Sequence, residues 1–353
     1  MKILILTGKF GMGHMSAAKA IKEEIQDKFN VYAEIIDFVE YLFPVNSTYI
    51  YRFFNIMSGR FYGLYNVVNR IDEKRTIMQM RYKILKKIDE LIEKSRPDVV
   101  ISTLPIISKY MSEYRKTVSR QFYCITCITD IMPHNEWISD GTFAYMAGDE
   151  MTKEILIDKG VNPEKIFVGG IPVKKEFKAD IPNKHKDVKE ILIMGGGLGL
   201  IPGVKKIIDE IRLLPNVHMR VITGKNKKLR QALENSYDDI DIIGYTDEVM
   251  NYMKNADVLI SKAGGITIFE AIYSETPILA LYPFLEQEKK NAEFIKRKCI
   301  GSIMDKNKDR QLYKVSELLF NEKKLESIKR QMRQMKEIYE MNGITNIIHK
   351  LGI

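Results

Sequence analysis

Short apolar runs alternate with longer amphipathic segments along most of the chain. The runs have the length and the β-branched content of buried strands. They are KILILT, VYAEIID, DVVIST, QFYCITCIT, EILIMG, HMRVIT, DVLISK and PILALY. Most of these runs are followed by a segment with helical periodicity, and this order predicts an α/β fold in which helices cover parallel sheets.

The strand–turn–helix pattern starts twice, which indicates two Rossmann-like domains. MKILILTGKFGMGH begins the first and KEILIMGGGLGLIPG begins the second, and the 353-residue length suits two domains. The segment between them, GGIPVKKEFKADIPNKHKD, is rich in Pro, Lys and Asp and is the predicted linker. We predict an N-terminal domain over 1–174 and a C-terminal domain over 175–353, whose last helix packs back on the first domain.

Residues 41–96 interrupt the alternation with an aromatic and basic insertion. Nine aromatic residues lie between Tyr41 and Tyr65, and the insertion contains eleven Lys or Arg against five Asp or Glu. Rings and cations together are typical of a surface that contacts an anionic bilayer. The alternative is that these rings pack the insertion onto its own domain, and the sequence leaves both interpretations open.

Composition narrows the class of protein further. The formal charge is 55 − 46 = +9, which favours an acidic partner such as nucleotide phosphates or an anionic membrane. No apolar run has the length of a membrane span, and the first run is too short for a signal peptide. Three cysteines in a chain of this length suit a reducing compartment. We therefore expect a cytoplasmic protein.

The first glycine-rich loop, TGKFGMGH, is a candidate for catalysis. Gly8, Gly11 and Gly13 allow a sharp turn and a close approach of ligand, and His14 follows at the start of a helix. A histidine there can take a proton near neutral pH. The spacing G-x-x-G-x-G is not the dinucleotide fingerprint. Asp37, at the end of the second strand, still leaves a dehydrogenase as a competitor.

Three segments of the second half offer contacts for a sugar nucleotide. Gly195 to Gly199 form a bare backbone surface suited to phosphate, and ISKAGGITIFEA places two glycines at a helix start with Glu270 further along the helix. A carboxylate at that position could accept two ribose hydroxyls. In PFLEQEKKNA, Gln287 and Asn291 lie four residues apart on one helical face.

Five motifs in order carry a family resemblance. GKFGMGHMSAAKAI, CITDIMPHNEW, IMGGGLGLIPG, SKAGGITIFEA and EQEKKNA resemble the monogalactosyldiacylglycerol synthase and bacterial diacylglycerol glucosyltransferase family. More distantly, they resemble the peptidoglycan GlcNAc transferase that acts on a lipid intermediate. The resemblance implies the GT-B fold, with two Rossmann-like domains facing a cleft. It also implies an inverting hexosyltransferase that needs no metal or other cofactor.

The resemblance assigns roles to individual residues. His14 would be the base for the acceptor hydroxyl. The acceptor-binding residues would be Gly13, Asp130, His134 and Trp137 in the N-terminal domain. The donor-binding residues would be Gly196, Gly197, Gly264, Gly265, Glu270, Gln287, Glu288 and Asn291 in the C-terminal domain. Two departures from the family pattern are Ala263, where a proline is usual, and Glu286, where a glycine is common.

The implied partners are a UDP-sugar donor, a lipid acceptor and an anionic membrane surface, with no nucleic acid. The leading hypothesis is transfer of glucose or galactose to diacylglycerol by a peripheral enzyme on the inner face of the cell membrane. Transfer of GlcNAc to a polyprenyl-linked acceptor is the enzymatic alternative. A sugar-nucleotide sensor without catalysis is the alternative from a different class.

Overall fold

The structure is a computed structural model, and it describes residues 1–10, 12–52, 74–118, 121–179, 188–283, 286–305, 308–341 and 343–352. Side chains are described for the same residues apart from 74–80, 286–287 and 308–310. The chain divides into two compact units, the first containing Met1–Pro172 and Asn342–Ile353 and the second containing Val173–Met341.

The first unit is built on a parallel sheet of six strands. They are β1 (Ile3–Thr7), β2 (Ala33–Asp37), β3 (Val99–Ser102), β4 (Tyr123–Cys127), β5 (Ala144–Ala147) and β6 (Ile166–Val168), in the spatial order β2-β1-β3-β4-β5-β6. Strand β1 is buried on both faces. Ile3 and Ile5 face one hydrophobic cluster, and Leu4 and Leu6 face the other. This two-sided burial explains the continuous apolar runs of the sequence.

Helices cover both faces of this sheet. In chain order they are α1 (Gly13–Phe29), α2 (Phe38–Leu42), α3 (Lys74–Ser95), α4 (Pro105–Arg115) and α5 (Glu150–Asp158), with short 3₁₀ turns at Asn135–Trp137 and Pro163–Lys165. Helix α1 ends at Asn30, whose left-handed backbone lets its N–H donate to the Gln26 carbonyl. Helix α2 begins where the Asp37 side chain accepts a hydrogen bond from the Glu40 N–H.

The second unit repeats the plan with another parallel sheet of six strands. They are β7 (Lys189–Met194), β8 (Val217–Ile222), β9 (Asp241–Ile243), β10 (Val258–Ser261), β11 (Ile278–Ala280) and β12 (Gly301–Ile303), in the order β12-β11-β10-β7-β8-β9. Its helices are α6 (Lys175–Lys178), α7 (Val204–Ile211), α8 (Lys227–Glu234), α9 (Val249–Asn255), α10 (Gly265–Tyr273), α11 (Glu286–Arg297), α12 (Lys308–Phe320) and α13 (Glu322–Met341). The predicted α/β class is confirmed.

The end of the chain contributes to both units. Helix α13 packs on α10, where the rings of Phe269 and Tyr339 lie 5.3 Å apart. The last helix, α14 (Ile344–His349), belongs to the first unit. Its residues Ile344 and Ile347 join the hydrophobic cluster that contains Ile21 of α1. The C-terminal segment therefore completes the apolar packing around the first helix.

The aromatic insertion is described only in part. Phe53, Phe54, Phe61, Tyr62 and Tyr65 lie outside the described residues. Among the others, Tyr41 packs against the core of the first unit and its hydroxyl donates to the Lys87 carbonyl at 3.2 Å. The alternative of packing onto its own domain therefore holds for this ring.

Two further sequence signals have a clear structural outcome. Cys124 and Cys127 are both buried in β4, and burial raises the pKa of each thiol to about 12. They are core residues, as their place in an apolar run indicates. None of the helices in the described ranges is long and apolar enough to cross a membrane.

Candidate active site

The carboxyl ends of three strands in the first unit meet at His14. Thr7 ends β1, Thr103 follows β3, and Thr129 follows β4, two residues after its last position. The hydroxyl of Thr103 donates to the hydroxyl of Thr7 at 2.7 Å. His14 is the second residue of α1, which starts directly after the first glycine-rich loop. Ligands of parallel α/β sheets bind at this edge.

The hydrogen bond to Thr103 determines which nitrogen of His14 carries the proton. The Nδ1 atom lies 2.8 Å from the Thr103 carbonyl oxygen and 2.9 Å from the Thr129 hydroxyl. Because a carbonyl oxygen only accepts, Nδ1 must be protonated and donate to it. In the neutral ring the lone pair is then on Nε2. The imidazole is therefore oriented as a general base that works through Nε2.

Burial keeps the His14 imidazole neutral. Burial lowers the pKa of its imidazole, while the negative charge of Asp130 and the hydrogen bond to Thr103 act in the opposite direction. The imidazole is therefore uncharged, and able to accept a proton, at neutral pH.

Asp130 is itself positioned by a buried ring. The Trp137 indole N–H donates to the Asp130 carboxylate at 2.9 Å, and Trp137 has no exposed surface. The rings of His14 and Trp137 lie 6.5 Å apart. The His134 Nε2 atom lies 3.9 Å from the same carboxylate, and about half of the His134 side chain is exposed. Asp130, His134 and Trp137 thus form one cluster beside His14, as their common motif predicts, whereas their contact with an acceptor stays a prediction.

Gly8, in the first glycine-rich loop, lies against Leu104, which follows β3. A Cβ atom on Gly8 would lie 2.8 Å from a Leu104 methyl group, so a larger residue would force that side chain to shift. Asp37 accepts hydrogen bonds from the Glu40 N–H and the Tyr51 hydroxyl, and its carboxylate lies 3.4 Å from the Lys9 ammonium. Burial, followed by the bond to Asp37, raises the pKa of Tyr51. These contacts account for Asp37 without a ribose, and they remove the main support for a dehydrogenase.

In the second unit, the glycine-rich loop after β7 packs tightly against the loop after β8. Gly196 and Gly199 have φ angles of +68° and +64°. A Cβ atom on Gly199 would lie 1.8 Å from the Thr223 carbonyl oxygen. The Lys225 N–H donates to the Gly197 carbonyl at 3.0 Å. Gly196 and Gly197 are thus held at the carboxyl edge of the second sheet, the position that the sequence predicts for a diphosphate contact.

The loop between β10 and α10 is a second backbone surface at this edge. Gly264 caps α10 in an extended conformation and Gly265 is the first helical residue. The first N–H groups of a helix have no partner within it, so they can bind an anion. The Asn291 amide donates to the Ala263 carbonyl at 2.9 Å, and Asn291 is only 2% exposed. Asn291 therefore supports this loop, and its predicted contact with the donor stays untested.

Glu270 lies in the second turn of α10 and is half-buried. Burial raises the pKa of its carboxyl group to about 8; the nearby Lys174 lowers it and Glu176 raises it. A carboxyl group with this pKa is largely protonated at neutral pH when no ligand is bound. A carboxyl group whose pKa is strongly shifted by its surroundings is typical of a functional site.

An ion pair joins the β10–α10 loop to α11. The Lys262 ammonium lies 3.2 Å from the Glu288 carboxylate, and the two side chains are 34% and 14% exposed. The neighbouring side chain of Gln287 lies outside the described residues. Sequence reasoning found Glu288 through its motif and missed Lys262. It also missed Thr103 and Thr129, which bind the candidate base.

The fold is that of GT-B glycosyltransferases and of sugar-nucleotide epimerases. The MurG structure from Acinetobacter baumannii has a TM-score of 0.64 at 12% identity and covers 97% of this chain and 98% of that chain. A UDP-GlcNAc 2-epimerase from Neisseria meningitidis bound to UDP-GlcNAc has a TM-score of 0.63 at 14% identity, with 99% and 100% covered. At these identities the likeness shows the fold alone, and it confirms the predicted fold class.

Sequence comparison identifies the family. The family model for monogalactosyldiacylglycerol (MGDG) synthase matches residues 14–173, and the glycosyltransferase family 28 C-terminal domain matches residues 190–344. A processive diacylglycerol beta-glucosyltransferase of Bacillus pumilus is 30% identical, over 95% of this chain and 91% of that protein. The protein of the same name from Bacillus subtilis is 27% identical, over 95% and 91%. The chain belongs to the family of diacylglycerol glycosyltransferases, so the resemblance is confirmed.

Over the described ranges, no group of three or more His, Cys, Asp or Glu side chains is arranged to hold a metal ion.

The environment of His14 leads to a prediction about its titration. Asp130→Asn should lower the pKa of His14 further, because the carboxylate is a negative charge that stabilises the imidazolium form. The asparagine retains an oxygen that can accept from Trp137. The measurement is an NMR titration of the imidazole resonances, assigned with His14→Asn. Asp140→Asn, at an exposed carboxylate, is the control, and an unchanged His14 pKa in Asp130→Asn would contradict the assignment.

Proposed function

We propose that this chain is an inverting glycosyltransferase that moves glucose from UDP-glucose to the hydroxyl of diacylglycerol. The observation that carries the proposal is the orientation of His14, with Nδ1 donating to Thr103 and Nε2 left as the base, in a chain of this family. The choice of glucose and diacylglycerol rests on the names of the relatives. Galactose as the donor sugar is an outcome that the assay below distinguishes.

The reaction is a single displacement. The acceptor oxygen forms a bond to the anomeric carbon, the bond from that carbon to the diphosphate breaks, and UDP leaves with its electron pair. Nε2 of His14 takes the proton of the attacking hydroxyl. UDP-glucose carries an α-linkage, so attack from the opposite face gives a β-glucoside, in line with the beta product in the relatives' names.

The N-terminus of α10 and the glycine loop after β7 supply the donor contacts in this proposal. The Gly264 N–H donates to the Lys262 carbonyl at 2.8 Å, so the N–H groups of the first turn of α10, beginning at Gly265, would stabilise the charge that develops on the leaving diphosphate. Gly196 and Gly197 leave the backbone exposed for the same group. Glu270 would accept the ribose hydroxyls, and Gln287 and Glu288 would bind the transferred sugar. No step of this scheme uses a metal ion.

The two other hypotheses have less support. The likeness to MurG shows the fold alone, so it does not favour GlcNAc transfer to a polyprenyl acceptor. A sensor without catalysis would have no need of a histidine whose tautomer is fixed by the Thr103 carbonyl. One assay separates all three, with purified protein, UDP-glucose, UDP-galactose or UDP-GlcNAc, and either diacylglycerol or a polyprenyl diphosphate in micelles, followed by product chromatography.

We also propose that the protein binds the cytoplasmic face of an anionic membrane. Val45, in the turn that follows α2, and Tyr49, in the helical segment that comes next, are 83% and 72% exposed. On α3 the apolar residues Ile84 and Ile88 are in the core, while Lys83 and Lys86 are exposed. Apolar side chains and cations on one insertion suit an interface with anionic lipid.

Loss of the base should abolish chemistry and spare donor binding. His14→Asn should lower kcat by about a hundredfold or more, because general-base catalysis contributes on that scale. UDP affinity by calorimetry should be that of the parent, since the base acts on the acceptor. His349→Asn, at an exposed histidine of the same unit, is the control. Equal losses of UDP affinity and turnover would show that His14 has a structural or binding role.

The raised pKa of Glu270 makes donor affinity depend on pH. If the carboxylate form binds the ribose, UDP affinity should rise by up to about tenfold per pH unit below pH 8 and level off above it, because binding must displace a proton below the pKa. Glu270→Gln should bind UDP about tenfold more weakly at pH 8 and lose this part of the pH dependence.

The ionisation of the UDP phosphates remains in Glu270→Gln and serves as the internal reference. Glu293→Gln, at an exposed position of α11, is the matched control. If the parent and Glu270→Gln bind UDP with the same affinity at every pH, Glu270 does not bind the ribose.

Vesicle binding should separate into two components. Val45→Ser with Tyr49→Ser should weaken binding at both low and high salt, because apolar insertion is not screened. Lys83→Gln with Lys86→Gln should remove mainly the salt-sensitive part, about 1 kcal/mol for each cation at the surface. Sedimentation with anionic and neutral vesicles measures both. Leu213→Ser, 73% exposed in the second unit, is the control, and parental binding by both double variants would reject this surface.

A further inference from the structure

The ion pair of Lys262 and Glu288 lies at the proposed donor site. Lys262 directly follows β10, at the carboxyl edge of the second sheet, and stands two residues before Gly264, the cap of α10. Its ammonium is 3.2 Å from the Glu288 carboxylate on α11. The pair therefore adjoins the backbone N–H groups that would bind a diphosphate.

The location of Lys262 is electrostatically unusual. The N-terminus of a helix carries a partial positive charge, so a cation beside it is unfavourable and an anion is favourable. Lys262 adds a full positive charge to the loop that leads into that end of α10. Glu288 offsets this charge from the neighbouring helix, and its side chain is largely shielded from solvent. The positive charge of the loop is thus compensated by a carboxylate that belongs to another element.

A diphosphate would compete directly with Glu288 for the same cation. Lysine is a frequent phosphate ligand because its ammonium is a compact charge with three donors. A diphosphate carries more negative charge than one carboxylate, and it would also use the helix N-terminus. When it takes over Lys262, the Glu288 carboxylate is released as an acceptor for hydroxyl groups.

We propose that Lys262 binds the diphosphate of the donor, and that Glu288 is its counterion in the empty site and becomes a sugar ligand when the donor is bound. The inference rests on the proposed function for the class of donor, a nucleoside diphosphate sugar. It adds a diphosphate-binding residue and an exchange of partners. Recognition of the sugar is then coupled to recognition of the diphosphate through one lysine.

The exchange predicts opposite effects of the two charges on UDP, which has the diphosphate and lacks the sugar. Lys262→Met should weaken UDP binding by about tenfold or more, the loss of one charge-assisted contact. Glu288→Gln should strengthen UDP binding several-fold at low salt, because it removes the competitor for Lys262. The same Glu288→Gln should lose the extra affinity that the parent shows for UDP-glucose over UDP.

Calorimetry with UDP and UDP-glucose, without acceptor, measures these affinities. In the double variant Lys262→Met with Glu288→Gln, the gain in UDP affinity that Glu288→Gln gives alone should disappear, because no lysine remains to be released. Lys262→Arg, which retains the charge, should bind UDP within a few-fold of the parent. Lys296→Met and Glu293→Gln, at exposed positions of α11, are the matched controls for loss of charge. Thermal unfolding checks that each variant is folded. If Lys262→Met does not fold, the UDP affinities of Lys262→Arg and Lys262→Gln give the same comparison of a charged with an uncharged side chain.

The outcomes separate this inference from the proposed function. Parental UDP affinity in the Lys262 variants without charge would overturn the assignment of Lys262. If Glu288→Gln weakens UDP binding as much as Lys262→Met does, the ion pair of Lys262 and Glu288 only supports the β10–α10 loop, and the exchange of partners is wrong. If the parent binds no UDP, the proposed donor class is wrong and the inference is wrong with it. If the UDP affinities are as predicted but glucose is not transferred to diacylglycerol, the proposed acceptor or sugar is wrong and the inference about Lys262 stands.

Discussion

The hydrogen bond from Nδ1 of His14 to the Thr103 carbonyl links the start of α1 to the end of β3, and the chemistry of the first unit depends on it. It fixes the ring orientation and the tautomer together, so that Nε2 is the basic atom. Thr129 adds a contact from the end of β4. Burial then favours the neutral ring, while Asp130 limits how far its pKa falls. A neutral imidazole with a defined tautomer follows from burial, a backbone carbonyl and one carboxylate.

Parallel sheets explain why these groups meet. In a parallel sheet every strand ends at the same edge, and the following loop is free to carry polar side chains. Thr7 ends β1, Thr103 and Thr129 follow the adjacent strands β3 and β4, and Asp37 ends β2. The interior of the sheet contributes stability through strands buried on both faces. The carboxyl edge contributes the hydrogen bonds that position His14, the proposed base.

The second unit uses the same edge for a different purpose. Its loop after β10 leads to the N-terminus of α10, whose first N–H groups have no partner within the helix. Asn291 donates to the Ala263 carbonyl of this loop, and Asn226 donates to the Gly199 carbonyl of the loop after β7. Two carboxyl groups near this edge have states that depend on their neighbours: burial raises the pKa of Glu270, and Glu288 is paired with Lys262. Binding of an anion at such a site changes the protonation or the partners of groups already present. In the proposed function, this property would let one edge recognise a diphosphate, a ribose and a sugar together.

The sequence by itself determined the α/β class, both glycine-rich strand–turn–helix units and the family, because these depend on local periodicity and on motifs in fixed order. It also selected His14 and Glu270 as candidates, since each lies within a local pattern. The partners that define their chemistry are distant in the chain: Thr103 and Thr129 lie 89 and 115 residues from His14. Lys262 and Glu288 likewise come from different elements, and Asp37 is engaged by Tyr51 and Lys9, not left for a ribose. Only the tertiary structure decided these contacts, because strand order and burial set which ends of the chain's elements become neighbours, and burial sets the ionic state of the groups that meet there.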